Sequence, residues 1–222
     1  MRLPAELLRF TRGERWVHRT TAILMGICLV TAAFLYIDLL SQLVGRRAIV
    51  EWIHVIAGIC LPVPALVGIA SKAFRADARI LNRFTRADWK WLRARYRKDG
   101  TLPVGKFNAG QKLNANFQIG AILIMLGTGL VMRFANHWPI SYRTGATFVH
   151  DWVAYAIFFV VVGHMWMATH DPHALRGMRT GYVPTSWAER EHNAWVAREV
   201  ARAAANPASP ANRAKQRPTK TG

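Results

Sequence analysis

Four of the chain's eight histidines, His18, His54, His150 and His164, fall in or beside long apolar stretches of a 222-residue sequence. Imidazole is a good ligand for iron and other transition metals. An ionisable side chain within a membrane-like segment is costly enough to be functional by default. His150 and His164 are fourteen positions apart, close to four whole helical turns, so on one helix both rings project from one face at levels roughly 21 Å apart. One face with two levels suits two stacked metal groups, each taking one imidazole from this helix and a second from another. The two cysteines, Cys28 and Cys60, lie inside apolar runs, and no C-x-x-C-H or C-x-x-C occurs. Covalent haem attachment, disulfide and zinc readings therefore drop out.

The elements that must position these histidines are four stretches without Asp, Glu, Lys or Arg: 20–37, 52–71, 113–132 and 152–169. Each approaches the ~20 apolar residues that a ~30 Å hydrocarbon core demands of a helix. The expectation is an all-α bundle of four transmembrane helices, about 15–40, 51–72, 112–133 and 147–169, in a domain of residues 1–200. The composition agrees, with 52% hydrophobic residues and nine Trp beside a net charge of +18. The first apolar run follows a basic lead without a convincing cleavage site, so it reads as a helix that stays.

Charge sets the orientation. Residues 1–19 hold five Lys or Arg, 72–112 hold twelve and the tail after His170 holds nine, which is 26 of the chain's 30; the other two connections hold two each. By the positive-inside rule both termini and the long loop are cytoplasmic. The basic charge then faces anionic lipid, and no basic-aromatic nucleic-acid module is visible, so no nucleic-acid partner is expected. In this topology His18 and His164 share the inner level and His54 and His150 the outer. Two imidazoles per iron make a six-coordinate centre that exchanges electrons without binding oxygen, and two b-type haems are expected. Gly58 and Gly163 suit close approach of a porphyrin, although glycine also serves plain helix packing.

Elsewhere, residues 2–19 alternate basic and apolar side chains, as the interfacial start of helix one would. Pro62 and Pro64 should kink helix two. In the cytoplasmic loop 73–111, Thr85-Arg86-Ala87-Asp88 resembles a capping box, followed by Trp89, Leu92 and Tyr96 at the spacing of a surface-lying amphipathic helix; an ordinary solvated basic loop is the alternative. His137 reads as an interfacial anchor and His192 as an ordinary tail residue. His170 and His173 form either a helix-terminating turn, the favoured reading, or a metal or proton site. Asp151 is either a hydrogen-bond partner of the haem or of a ligand ring, or a solvated interface charge. Residues 201–222 have little to bury and read as a disordered basic tail.

The chain resembles the cytochrome b (gamma) subunit of respiratory formate dehydrogenases, within the wider group of di-haem membrane anchors that includes the b-type cytochromes of nickel-iron hydrogenases. The resemblance covers roughly residues 12–200. It rests on Arg15-Trp16-Val17-His18, on Trp52-Ile53-His54 with Gly58, on Gly105-Lys106-Phe107-Asn108-Ala109-Gly110-Gln111-Lys112, on Val149-His150 and Gly163-His164-Met165, and on Gly177-Met178, Trp187 and Trp195. The Gly-Lys-Phe-Asn-Ala-Gly-Gln-Lys string is the most specific and points to the formate dehydrogenase branch.

The resemblance implies a bacterial inner-membrane subunit with two haem b groups. The outer haem, on His54 and His150, would receive electrons from an external iron-sulfur (beta) subunit associated with a molybdenum or tungsten catalytic (alpha) subunit. The inner haem, on His18 and His164, would pass them to a quinone, ubiquinone or menaquinone, held by Asn108 and Gly110 with Gln111 as a weaker candidate. An amide and a backbone N–H at the cytoplasmic entrance to helix three can hydrogen-bond quinone carbonyls; a tight turn with a helix cap is the plainer reading of the same string. Asn114 and Asn116 make the start of helix three unusually polar. Nothing in the chain resembles a formate-oxidising domain. The competing readings are the anchor of a hydrogenase or another dehydrogenase and, from a different class, a haem-free four-helix transporter or scaffold.

Overall fold

The computed structural model describes residues 3–94 and 101–205. Its elements are β1 (Glu6–Leu8), α1 (Arg12–Tyr36), α2 (Asp38–Ser41), α3 (Arg47–Cys60), α4 (Val63–Gly68), α5 (Lys72–Leu81), α6 (Arg86–Arg93), α7 (Ala109–Arg133), a 3-10 turn (Ala135–His137), α8 (Ile140–Thr169), α9 (Pro172–Thr180), β2 (Tyr182–Pro184), α10 (Thr185–Glu191) and α11 (Asn193–Ala205). They form two compact units. One comprises residues 11–82 and 113–172, the other the described residues within 1–10, 83–112 and 173–222.

The first unit carries four helices long and apolar enough to cross a membrane: Arg12–Tyr36, Arg47–Gly68, Ala109–Arg133 and Ile140–Thr169. α1 starts sharply because Thr11 and Glu14 form a capping box: Thr11 N–H donates to Glu14 Oε2 at 2.6 Å, and Glu14 N–H donates to Thr11 Oγ1 at 3.3 Å. The second span is broken between Cys60 and Val63 as its prolines require. Pro62 has no N–H to continue the ladder, and Leu61 N–H bonds Gly58 O instead. Gly68 ends α4 where a Cβ would stand 3.0 Å from Val17 and 3.2 Å from Phe74, so α1, α4 and α5 meet there only around a glycine. Met25, Leu61, Ala121 and Ile157 make the unit's buried cluster. Large apolar side chains such as Ile23, Val30, Leu123, Phe159 and Trp166 are exposed, as on a lipid-facing surface.

Several span boundaries differ from expectation by a few residues, and two of them have a local cause. α1 ends at Tyr36 because Ile37 is extended, and residues 38–41 form a separate turn of helix. α8 starts at Ile140, well before the apolar core of its sequence, because Pro139 opens it and the Ser, Tyr, Arg and Thr residues of its first turns are as helical as the apolar residues that follow. A hydrocarbon-length criterion cannot see such an extension.

The second unit is where the sequence was least informative. Residues 6–8 are a strand rather than the beginning of helix one: β1 pairs antiparallel with β2, with Leu7 opposite Val183. The chain is thus mostly helical with one small sheet. Gly181, at φ 96°, turns the chain between α9 and β2. Leu7, Val183, Trp187, Ala188, Trp195 and Val196 form a core, so the tail aromatics are interior residues. His192 is also interior, 2% exposed: its Nδ1 donates to Gly105 O at 2.7 Å and its Nε2 accepts from Arg9 at 3.1 Å. It fastens the segment before Asn108 and is not an ordinary tail residue. α11 continues through Ala205, five residues into the expected tail; Tyr96 and residues 206–222 lie outside the described residues.

α6 begins at the anticipated capping box, with Asp88 N–H donating to Thr85 Oγ1 and Thr85 N–H to Asp88 Oδ2. Asp88 also accepts from Lys112 Nζ at 2.7 Å, and both side chains are buried. Burial opposes ionisation of Asp88, but hydrogen bonds from Lys112 and Thr85 outweigh it and hold the carboxyl below its ordinary range. A depressed folded pKa contributes stability at neutral pH that is lost as the pH falls through the carboxylate range, below about 4. Acidification should therefore lower amide protection, meaning speed exchange relative to the intrinsic rate at the same pH, in residues 85–93. Asp88→Asn should do the same at pH 7, because removing one partner of a buried ion pair costs about 3–5 kcal/mol; exchange that is unchanged in both cases would contradict this role.

Candidate cofactor and quinone sites

The four expected histidines come together in two pairs within the first unit. His18, near the start of α1, faces His164, near the end of α8, with ring centres 6.1 Å apart. His54 of α3 faces His150 of α8 with ring centres 6.4 Å apart. An imidazole nitrogen binds a transition metal at about 2.0–2.1 Å, so two rings on opposite sides of one ion have centres roughly 6.4 Å apart. Both pairs have that separation. Ile157, seven positions from each α8 histidine, belongs to the buried cluster with Met25, Leu61 and Ala121, so apolar side chains separate the two levels.

The surroundings of the rings include groups that spacing did not single out. Thr31 and Thr128 lie 2.9 Å from the Nδ1 atoms of His54 and His150; their only sequence signal is that they are hydroxyls inside apolar runs. The partner on His150 is thus Thr128 and not the adjacent Asp151. A Cβ added to Gly129 would be 3.5 Å from the His150 ring. At Gly58 and Gly163 an added Cβ would meet no protein atom within 4 Å, so packing within the chain does not require these glycines. Asn116 donates to Leu81 O at 3.0 Å and closes the end of α5, while the side-chain oxygens of Asn114 and Gln118, one turn apart, are buried without a hydrogen-bond partner. His170 caps α8, its Nδ1 donating to Trp166 O at 2.7 Å, which is the helix-terminating role. His137 lies in the 3-10 turn with its ring 6.3 Å from that of Phe134.

Asn108, Gly110 and Gln111 belong to the second unit. Asn108 and Gln111 cap α7 reciprocally: Gln111 N–H donates to Asn108 Oδ1 at 2.9 Å and Asn108 N–H to Gln111 Oε1 at 3.0 Å. The cap uses the carbonyl end of each amide and leaves the NH2 ends, the donors a quinone carbonyl would need. Gly110 is the second residue of α7, where a backbone N–H has no carbonyl within the helix to bond. A Cβ there would be 3.4 Å from the Trp91 indole, so Trp91 is a neighbour that sequence reasoning missed. The string is a helix cap, and its partly exposed residues keep hydrogen-bond donors beside an aromatic ring.

Residues 9–181 match the family described as prokaryotic cytochrome b561. The chain belongs to that family. It is similar to the cytochrome b556(Fdn) subunit of the nitrate-inducible formate dehydrogenase of Escherichia coli K12, 30% identical over 105 residues, 46% of this chain and 48% of that protein. It is also similar to the formate dehydrogenase cytochrome b556 subunit of Haemophilus influenzae, 30% identical over 99 residues, 43% of this chain and 42% of that protein. In these two matches the chain spans less than half the length of the relative. A third match, the cytochrome b556(fdo) subunit of Escherichia coli formate dehydrogenase, is 25% identical over 207 residues and covers 87% of this chain and 93% of that one.

Membership of a cytochrome b family implies haem b, and the residues present fit it: each pair offers two imidazoles at the separation that one iron requires. As a cytochrome b with four membrane-length helices, the chain has the parts of an integral membrane electron carrier. The reciprocal cap yields a stability test. Asn108→Ala should loosen the first turn of α7 by about 1 kcal/mol, read as faster amide exchange in residues 109–113. Asn108→Asp, which keeps the cap oxygen, should not; equal loosening in both variants would mean that the cap is not what holds this turn.

Proposed function

We propose that this cytochrome b is the membrane electron-transfer subunit of a formate dehydrogenase-like respiratory complex. In this reading the protein sits in the bacterial inner membrane with both termini cytoplasmic, and electrons cross inward from an external iron-sulfur subunit, coupled to a molybdenum or tungsten catalytic subunit, to ubiquinone or menaquinone. The observation that carries the proposal is the pair of facing imidazoles at each of two levels, set about 21 Å apart along α8 by their fourteen-residue spacing. Haem b, when bound, would supply a one-electron couple.

His54 and His150 would hold the outer haem and His18 and His164 the inner one. The apolar cluster around Ile157 keeps water from the space between them. The Lys and Arg distribution supports the direction, and the short connections at 38–51 and 133–148 leave the outer level near a partner surface. For the quinone, the NH2 groups of Asn108 and Gln111 and the backbone N–H of Gly110 would donate to its carbonyl oxygens, with the indole of Trp91 beside them.

The first test is haem content in the purified chain. Wild-type protein should contain two b haems. His18→Ala and His164→Ala should lose one and keep the other, and His54→Ala and His150→Ala should show the reverse, resolved by reduced-minus-oxidised spectra and haem quantification. A protein without a b-type alpha band would sink the proposal, and loss of both haems in every variant would leave the pairing unsupported. The quinone site is tested by Asn108→Asp, which retains the cap and removes the NH2 donor. Quinone reduction by the complex should fall at least tenfold with both haem spectra intact; turnover at the wild-type rate would remove Asn108 from the site.

A further inference from the structure

His54 and His150 share more than a ring separation. Thr31, buried in α1, and Thr128, in α7, each place a hydroxyl oxygen 2.9 Å from the Nδ1 of one ring. Each hydroxyl also reaches carbonyls of its own helix: Thr31 lies 2.6 Å from Ile27 O and 3.1 Å from Cys28 O, and Thr128 lies 2.8 Å from Ile124 O and 3.3 Å from Met125 O. A hydroxyl has one proton and two lone pairs. A carbonyl can only accept, so the proton goes to the backbone and the oxygen meets the imidazole with a lone pair. Nδ1 must then carry the ring hydrogen, which leaves the Nε2 lone pair for a metal.

We propose that Thr31 and Thr128 are positioning residues that hold His54 and His150 in the tautomer that ligates through Nε2 and, by accepting from Nδ1–H, make both stronger donors to the iron. The inference rests on the bis-imidazole reading of the pair and adds to it a pair of partners and an electronic consequence. An acceptor on the distal N–H orients a ligating imidazole and raises its basicity, and hydrogen bonding around the iron's ligands is one of the levers on haem potential. A more basic ligand favours ferric over ferrous iron. With both imidazoles of the pair supported in this way, the two effects would fall on the same iron and lower its potential. Among the described residues hydroxyls stand on His54 and His150 and none hydrogen-bonds His18 or His164, so the two levels are chemically unequal even though their rings are similarly spaced.

Threonines in membrane helices also bond their own backbone for purely local reasons, and the test separates the two roles. Thr31→Val and Thr128→Val remove the oxygen at nearly constant shape; Thr31→Ser and Thr128→Ser keep it. The full-length holoprotein is titrated potentiometrically in the b-type alpha band, and the low-spin ferric signals are followed by electron paramagnetic resonance. In each Val variant the midpoint potential of one haem should move upward and its g values should change, with the other haem unaltered; the double variant should show the larger shift, and the Ser variants should match wild type. Loss of that one haem from a Val variant, with retention in the Ser variant, would equally support the role. Unchanged potentials in both Val variants, or equal shifts in Val and Ser variants, would overturn it. Wild-type protein lacking two low-spin haem signals would instead overturn the underlying reading of the pair, so the two failures are distinguishable.

Discussion

An imidazole in a hydrocarbon interior has two nitrogens and no water to satisfy them, and most of the bundle follows from that constraint. Each ring needs one partner for an N–H and another for a lone pair. At the level of His54 and His150, hydroxyls drawn from α1 and α7 stand 2.9 Å from the Nδ1 atoms, and the ring centres are 6.4 Å apart. Four helices therefore contribute to this level: α1 and α7 supply oxygens, α3 and α8 supply rings. The helix phase of α8 then presents a second ring fourteen residues later, where α1 supplies its partner.

Between the levels the packing is apolar. Met25, Leu61, Ala121 and Ile157 fill that space, and the proline break in the second span delivers Leu61 into it. The kink anticipated from Pro62 and Pro64 is thus a means of aiming a core side chain as well as a defect in a hydrogen-bond ladder. The second unit obeys a different logic. Its core is built from tryptophans and short strands, its polar groups are paired in networks such as Arg9–His192–Gly105 and Thr85–Asp88–Lys112, and the helix cap at Asn108 stands within it.

How much could be read from the residues alone depended on the range of the signal. The four spans were legible because a charge-free run of this length suits little besides a hydrocarbon slab, and the histidine pairs were legible because helical phase puts two rings on one face and the position of each ring within its span gives it a level. The capping box at Thr85 and the proline break are local signals and were equally readable. Thr31 and Thr128 were not found, since a hydroxyl in an apolar run acquires a meaning only when a specific ring stands opposite it. Likewise β1 and the burial of His192 depend on partners that are distant in the chain: Leu7 finds Val183, and His192 finds Gly105 and Arg9. A short strand of three residues with no repeating pattern carries no trace of such a partner.

That pairing has a consequence for how the chain matures. β1 leaves the ribosome before the four long helices and β2 after them, so their ladder closes only once all four have been made. The loop closure involved spans the whole bundle, and contacts at such separation form slowly. The same core holds the segment leading to Asn108, through Asn193 and His192. The cap at the start of α7 is therefore seated in its final setting only after α10 and α11 have been synthesised, and a chain stopped short of β2 would carry the histidine helices with a second unit that lacks β2, α10 and α11.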